Sequence, residues 1–166
     1  MRGRSPWAQF ALATVLSALL VLWVSPPRPE ARVTSLGAVL VGTVSGVSLY
    51  AAVARRRPFL PSLLPGVGAK CGILALAAVN EEILWRRVVL GELLHSGAPA
   101  ALAGSSLAFG LAHRARPGLH LATGLAFGAL YLATGALGAC VAAHLTYNLC
   151  LLALRDRAGL GRELAS

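Results

Sequence analysis

Glu81-Glu82-Ile83-Leu84-Trp85-Arg86-Arg87 places four ionised side chains in a single stretch of a chain that is otherwise too apolar for water. Of the 166 residues, 57% are hydrophobic and only 13% charged, and the mean hydropathy is +0.71. A soluble domain carries roughly 25% charge. At the centre of a membrane-spanning helix each ionised group costs roughly 2.5–3.5 kcal/mol, so four facing lipid would cost on the order of 10 kcal/mol. The cluster therefore pairs internally or lines a polar cavity, and it marks a functional site.

Outward from this cluster the chain divides into apolar blocks. Trp7–Val24 and Val33–Ala54 carry no charge, and each is close to the roughly 20 residues that span a hydrocarbon core as a helix. The cluster sits in a third segment, Pro65–Ser96, followed by Pro99–His113, Gly118–Thr134 and Gly135–Leu154. Turn signals separate most of them: Ser25-Pro26-Pro27, the prolines 58, 61 and 65, Gly97-Ala98-Pro99 and Arg116-Pro117-Gly118. The last two segments run together through Thr134-Gly135. The expected fold is all-α, a polytopic transmembrane helix bundle of about six spans. Residues 1–64 form two helices and a linker, 65–154 a helical core, and 155–166 a basic tail. Pro65–Ser96 would extend about 48 Å as one helix against a core of about 30 Å, so a break or tilt is expected near its start.

Lys and Arg number 15 against 6 Asp and Glu, yet their placement argues against nucleic acid. With a cytoplasmic N-terminus and six spans, Arg2, Arg4, Arg55, Arg56, Arg57, Arg114, Arg116, Arg155, Arg157 and Arg162 fall on one side, and only Arg28 and Arg32 on the other. That asymmetry follows the positive-inside rule and places both termini in the cytoplasm; the partner it implies is anionic membrane lipid. Arg2 and Arg4 ahead of an apolar run resemble a signal peptide, but no A-x-A-like site precedes Pro26-Pro27, so the block reads as a retained anchor. Cys71, Cys140 and Cys150 sit inside predicted spans with no zinc-like spacing.

Three short motifs carry chemistry. In Glu81-Glu82-x-x-x-Arg86, Glu82 and Arg86 are four apart and share a helical face, where they can neutralise each other. Glu81 points about 100° away, free to face a cavity. Alone, this would also suit a buried ion pair that only fixes packing. Phe109-x-x-x-His113 closes the fourth segment, and a lone histidine there would more often be a packing residue. His144-x-x-x-Asn148 stacks two polar side chains on one face of the sixth segment, equally suited to an interhelical clamp. Tyr147 lies on a neighbouring face. Together the motifs assemble a parts list for hydrolysis. A carboxylate and an imidazole can hold and deprotonate water, and a second imidazole and an amide can donate to the oxyanion formed on an attacked carbonyl.

Glu81-Glu82-Ile-Leu-Trp-Arg86, Phe109-Gly-Leu-Ala-His113 and His144-Leu-Thr-Tyr-Asn148 resemble, in order and spacing, the signature motifs of the CPBP intramembrane proteases, also called the Abi or type II CAAX prenyl endopeptidase family. The approach Gly124-Leu-Ala-Phe-Gly128-Ala-Leu-Tyr-Leu-Ala-Thr-Gly-Ala-Leu-Gly is similar too, so the resemblance spans roughly residues 65–154 and makes them a catalytic core. It implies that Glu81 is the general base, that His113 shares the attacking water, and that His144 and Asn148 form the oxyanion hole. Glu82 and Arg86 would support Glu81. Trp85 replaces the family's Phe as an aromatic plug. Arg87 stands where the family has Gly, at a position of close backbone packing. No cofactor is expected. Were the enzyme metal-dependent, Glu81, Glu82, His113 and His144 would be the zinc ligands; Asn148 beside His144 suits an oxyanion hole better.

Other mechanisms lack their residues. There is no His-Glu-x-x-His, and the sole aspartate, Asp156, lies past the last span. Gly42-Thr-Val-Ser-Gly46 has the wrong spacing for rhomboid-like serine chemistry; with Gly124-x-x-x-Gly128 it reads as a helix-packing face. A proton-coupled transporter would show two related halves, which are missing here. A catalytically inactive immunity or scaffold protein of the same family is the alternative, against which the full Glu-His-His-Asn set argues. The Ala/Leu/Gly/Arg-rich usage is bacterial in character and points to an inner (plasma) membrane. There the substrate would be a membrane-anchored precursor with a C-terminal sorting tail, as for the myxosortase-like branch.

Overall fold

In lipid, a backbone without water must satisfy its own polar groups, and helix is the local way to do so. The computed structural model describes residues 6–54 and 67–163, and every regular element among them is helical. Arg2, Arg4, Arg55, Arg56, Arg57 and the prolines 58, 61 and 65 lie outside the described residues, as do the side chains of Arg155, Asp156, Arg157 and Arg162.

Six helical segments follow in the expected order. Helices α1 (Pro6–Val24) and α2 (Ser35–Ala54) coincide with the two charge-free blocks. The third segment begins as α3 (Val67–Glu82) and continues as a π-helical stretch, Ile83–Leu90. It ends in one α turn, α4 (Gly91–Leu93), and one 3-10 turn, Leu94–Ser96. The break expected near the start of this segment is absent from its described part. The winding changes immediately after Glu82 instead, where the charged cluster has to be accommodated. Wider i→i+5 turns of this kind recur at functional sites.

Pro99, in the first turn of α5 (Ala98–Ala112), and Pro117, which opens α6 (Pro117–Thr134), sit where a missing N–H costs nothing. Between α6 and α7 (Leu137–Glu163) the boundary hidden in Thr134-Gly135 is a left-handed cap: Gly135 has φ +64°. A Cβ there would also lie 1.9 Å from the Glu30 carbonyl oxygen, so two constraints demand glycine. The α1–α2 loop is tied down at the same place, where the Arg32 N–H donates to the Thr134 carbonyl at 2.8 Å.

The bundle pairs α2 with α7 and α5 with α6, and the third segment lies between them against α1, α5 and α7. On α2, Gly42 and Gly46 press onto the backbone of α7: added Cβ atoms would sit 2.3 Å from the Ala139 oxygen and 2.4 Å from the Ala143 oxygen. The predicted Gly-x-x-x-Gly packing face is thus realised, and it holds α7, which carries the third motif, in register. Gly46→Leu is expected to force these helices apart and to destabilise the fold by about 3 kcal/mol or more, read as a lowered thermal midpoint in detergent.

Helices α1 and α2 and residues 137–154 of α7 are long and apolar enough to cross a membrane, and α5 is a shorter apolar helix. Leu12, Leu16, Leu19 and Trp23 of α1, and Leu36, Leu40 and Val44 of α2, stay exposed, as lipid-facing side chains do. The expectation of an all-α helical bundle is met.

Candidate active site

All three motifs converge on one cavity of about 690 Å³, bounded by α2, α3, α5, α6 and α7. Glu81, His113, His144 and Asn148 all line it. Its walls include Val53 and Ala54 at the end of α2, the α5–α6 turn with Arg116, and Leu151 and Leu154 far along α7. Because α5 stops at Ala112, the α5–α6 turn sits beside this space and leaves room below the histidines.

Glu81 and Glu82 diverge as adjacent helical positions must. Glu81 is 34% exposed and faces the cavity, whereas Glu82 is fully buried with Arg86. Arg86 Nε lies 3.0 Å from Glu82 Oε2, an ion pair whose N–H points too obliquely for a hydrogen bond. The rest of the guanidinium finds no hydrogen-bond acceptor among the described residues. Aromatic faces hold it instead: its carbon lies 5.2 Å from the Phe109 ring centroid and 5.8 Å from that of Phe127. Two π-faces around a desolvated guanidinium make such contacts stronger than they would be in water.

The other oxygen of Glu82 shows what this buried pair supports. Oε1 is 2.8 Å from His144 Nδ1, so the carboxylate accepts from the imidazole and aims Nε2 into the cavity, while Phe127 stacks on the ring at 5.0 Å. The expectation that Glu82 and Arg86 position Glu81 is therefore refined: the contact Glu82 makes is with His144. A sequence spacing cannot reveal this, because the partner lies 62 residues away on another helix.

His113 is oriented by its own helix. Nδ1 lies 2.8 Å from the Phe109 carbonyl oxygen, which can only accept, so Nδ1 carries the proton and Nε2 presents a lone pair. That Nε2 lies 3.8 Å from Glu81 Oε2, and His144 Nε2 lies 3.9 Å from the same oxygen. Both distances exceed a direct hydrogen bond and suit a bridging water about 2.8 Å from each group. Trp85 packs edge-on against Phe109 at 5.7 Å.

Arg87 turns away from the site. Its Nη1 donates to the carbonyls of Pro26 and Pro27 in the α1–α2 loop, the contact to Pro27 being 3.1 Å. This contact ties the loop to the π-helical stretch, and the backbone of that stretch approaches the loop closely at Gly91, where a Cβ would lie 2.7 Å from the Pro27 oxygen.

Two contributors escaped the motif reading. His120, on the first turns of α6, stacks on His113 with ring centroids 4.0 Å apart. Its signal was a histidine placed just after Pro117, one tight turn beyond the second motif. Phe127, inside the Gly124–Gly128 stretch, touches both His144 and Arg86.

The zinc set Glu81, Glu82, His113 and His144 is not assembled. Glu82 spends one oxygen on His144 Nδ1 and the other on Arg86, and no three His, Cys, Asp or Glu side chains among the described residues converge as metal ligands.

A family model described as type II CAAX prenyl endopeptidase Rce1-like matches residues 67–150, a stretch that contains all three motifs, helices α3, α5 and α6, and α7 as far as Cys150. No curated protein and no solved structure matches the chain. Together with the lipid-facing helices, the match makes this an integral membrane protein, and the chain belongs to the Rce1-like type II CAAX prenyl endopeptidase family, a family of membrane proteases.

Proposed function

We propose that the protein is an intramembrane endopeptidase that hydrolyses a peptide bond near the C-terminus of a membrane-anchored precursor. The observation that carries this reading is the 3.8 Å separation of Glu81 Oε2 and His113 Nε2 inside the shared cavity. A water between them donates one proton to each and turns a lone pair toward the substrate carbonyl. As its oxygen bonds to the carbonyl carbon, Glu81 takes a proton. The oxyanion accepts from His144 Nε2–H and the Asn148 amide. A His144 that donates from both ring nitrogens has Glu82 and Glu81 as its counterions. When the C–N bond breaks, Glu81 returns its proton to the leaving nitrogen and the water's second proton passes to His113 Nε2, leaving a carboxylate and an amine.

The reaction is proposed to need no metal, and the engagement of Glu82 by Arg86 and His144 supports this. The test is cleavage of a tail-bearing precursor, taken from a neighbouring gene, by purified protein in detergent with and without a strong chelator. Retained cleavage is expected; loss to the chelator with rescue by zinc would convert the mechanism to metalloprotease chemistry. In the same assay Asn148→Ala is expected to lower turnover by about 10²–10³-fold, as loss of one oxyanion donor does.

The proposed setting is a bacterial inner membrane crossed six times, with both termini cytoplasmic and the cavity opening toward the cytoplasmic end of α2. The arginine asymmetry supports this orientation. A reporter fused after Ser166 is expected to read cytoplasm and one inserted near Pro29 the opposite side. A Ser166 fusion on the far side would sink the six-crossing topology. The proposed precursor carries a C-terminal sorting tail of the kind served by myxosortase-like enzymes.

A further inference from the structure

A second cleft, of about 480 Å³, lies at the other end of α6 from the catalytic cavity and shares no lining residue with it. Its apolar walls come from Ala18, Val21 and Leu22 of α1, Ile83 of the π-helical stretch and Leu137 of α7. Helix α1 packs on α3 and the π-helical stretch, so its last turns stand beside the ends of α6 and α7 with the cleft between them.

The polar lining is one-sided. Arg28 and Arg87 contribute two positive charges, and among the described residues no acidic side chain lines the cleft. Arg28 is exposed, with no ion-pair partner among the described residues. Arg87 is pinned at the rim through Nη1, which donates to the Pro26 and Pro27 carbonyls, and its remaining N–H groups have no acceptor among the described residues. Tyr131 is only 1% exposed and lines the same cleft. Two guanidiniums and a phenol lining one cleft make a set of donors that fits an anion.

Depth argues for what carries the anion. Trp23, at the end of α1, is 87% exposed, and such tryptophans settle at the headgroup level of a bilayer. Arg28 follows within the same loop, while Val21, Leu22 and Ala18 run from it toward the apolar interior. A free inorganic anion would leave those walls uncovered.

We propose that this cleft binds an anionic phospholipid, its phosphodiester held between Arg28 and Arg87 and accepting from the Tyr131 hydroxyl, with an acyl chain along Ala18, Val21 and Leu22. The proposal is independent of the protease reading, because it concerns other residues and is tested without turnover.

The experiment is thermal unfolding of the full chain in detergent with added phosphatidylglycerol, with phosphatidylcholine of the same acyl chains, or with inorganic phosphate. Near 100-fold excess over Kd, phosphatidylglycerol is expected to raise the midpoint by about 5–10 °C for a chain of this size. Phosphatidylcholine and inorganic phosphate should give only a minor part of that rise. Arg28→Gln, an exposed change that leaves the fold intact, should remove most of the phosphatidylglycerol-specific increment. Tyr131→Phe should reduce it, and Arg32→Gln, outside the cleft, should keep it. Equal shifts from the two lipids, or an undiminished increment in Arg28→Gln, would overturn the proposal. A matching shift from inorganic phosphate would overturn the assignment to lipid.

Discussion

Glu81→Gln is expected to reduce cleavage of the tail-bearing precursor by about 10⁴-fold, the upper end of what a positioned general base supplies, with the thermal midpoint nearly unchanged. The geometry separates these two readouts. Glu81 is 34% exposed and stands 3.8–3.9 Å from its histidine neighbours, so glutamine strands no buried charge. The amide keeps the shape of the side chain but cannot take the proton of the attacking water or hand it to the leaving amine. His113→Ala removes the other holder of that water and is expected to cost about 10²–10⁴-fold. The ring contacts it loses are with His120, which stacks on it, and with the tilted ring of Phe109. Turnover in Glu81→Gln within tenfold of the parent would end the assignment of Glu81 as base.

Arg86→Ala is expected to act on stability and activity together. Removing one partner of a buried ion pair costs about 3–5 kcal/mol, because the other charge is left uncompensated. Here that charge is Glu82, which is fully buried with a second contact to His144. At about 2–4 °C per kcal/mol for a chain of this size, the midpoint should fall by roughly 10 °C. Cleavage should fall as well, since a carboxylate without Arg86 no longer holds His144 in place. Glu82→Gln offers the contrast: its amide oxygen can still accept from His144 Nδ1, so it should retain more activity than Glu82→Ala at similar stability. Equal activity in those two variants would show that Glu82 does not orient His144.

Much of the molecule is legible in one dimension because lipid simplifies the physics. A backbone in hydrocarbon has to satisfy itself locally, so the charge-free blocks at Trp7–Val24 and Val33–Ala54 had little choice but helix. Glycines spaced four apart on α2 announced a close helix contact. The three motifs named the residues of the cavity because four-residue spacing places side chains on one helical face whatever the helix packs against. The four charges at 81–87 marked the site, since lipid tolerates them only where a fold compensates them.

What depended on distance across the bundle was out of reach. Glu82 was paired correctly with Arg86, four residues along, but its contact with His144 joins helices 62 residues apart in sequence. The stacking of His120 on His113 needed the turn between α5 and α6 to bring two helix ends together. Arg87 looked misplaced because its partners, the Pro26 and Pro27 carbonyls, belong to a loop 61 and 60 residues earlier in the chain. The π winding after Glu82 likewise answers contacts on several sides of the helix at once. Helix, membrane residence and the cavity-lining polar residues thus follow from local periodicity and the energetics of charge in lipid, which act along the chain. Which carboxylate faces water, which orients a histidine and where the extra arginine goes are decided by packing between helices, whose partners no local pattern encodes.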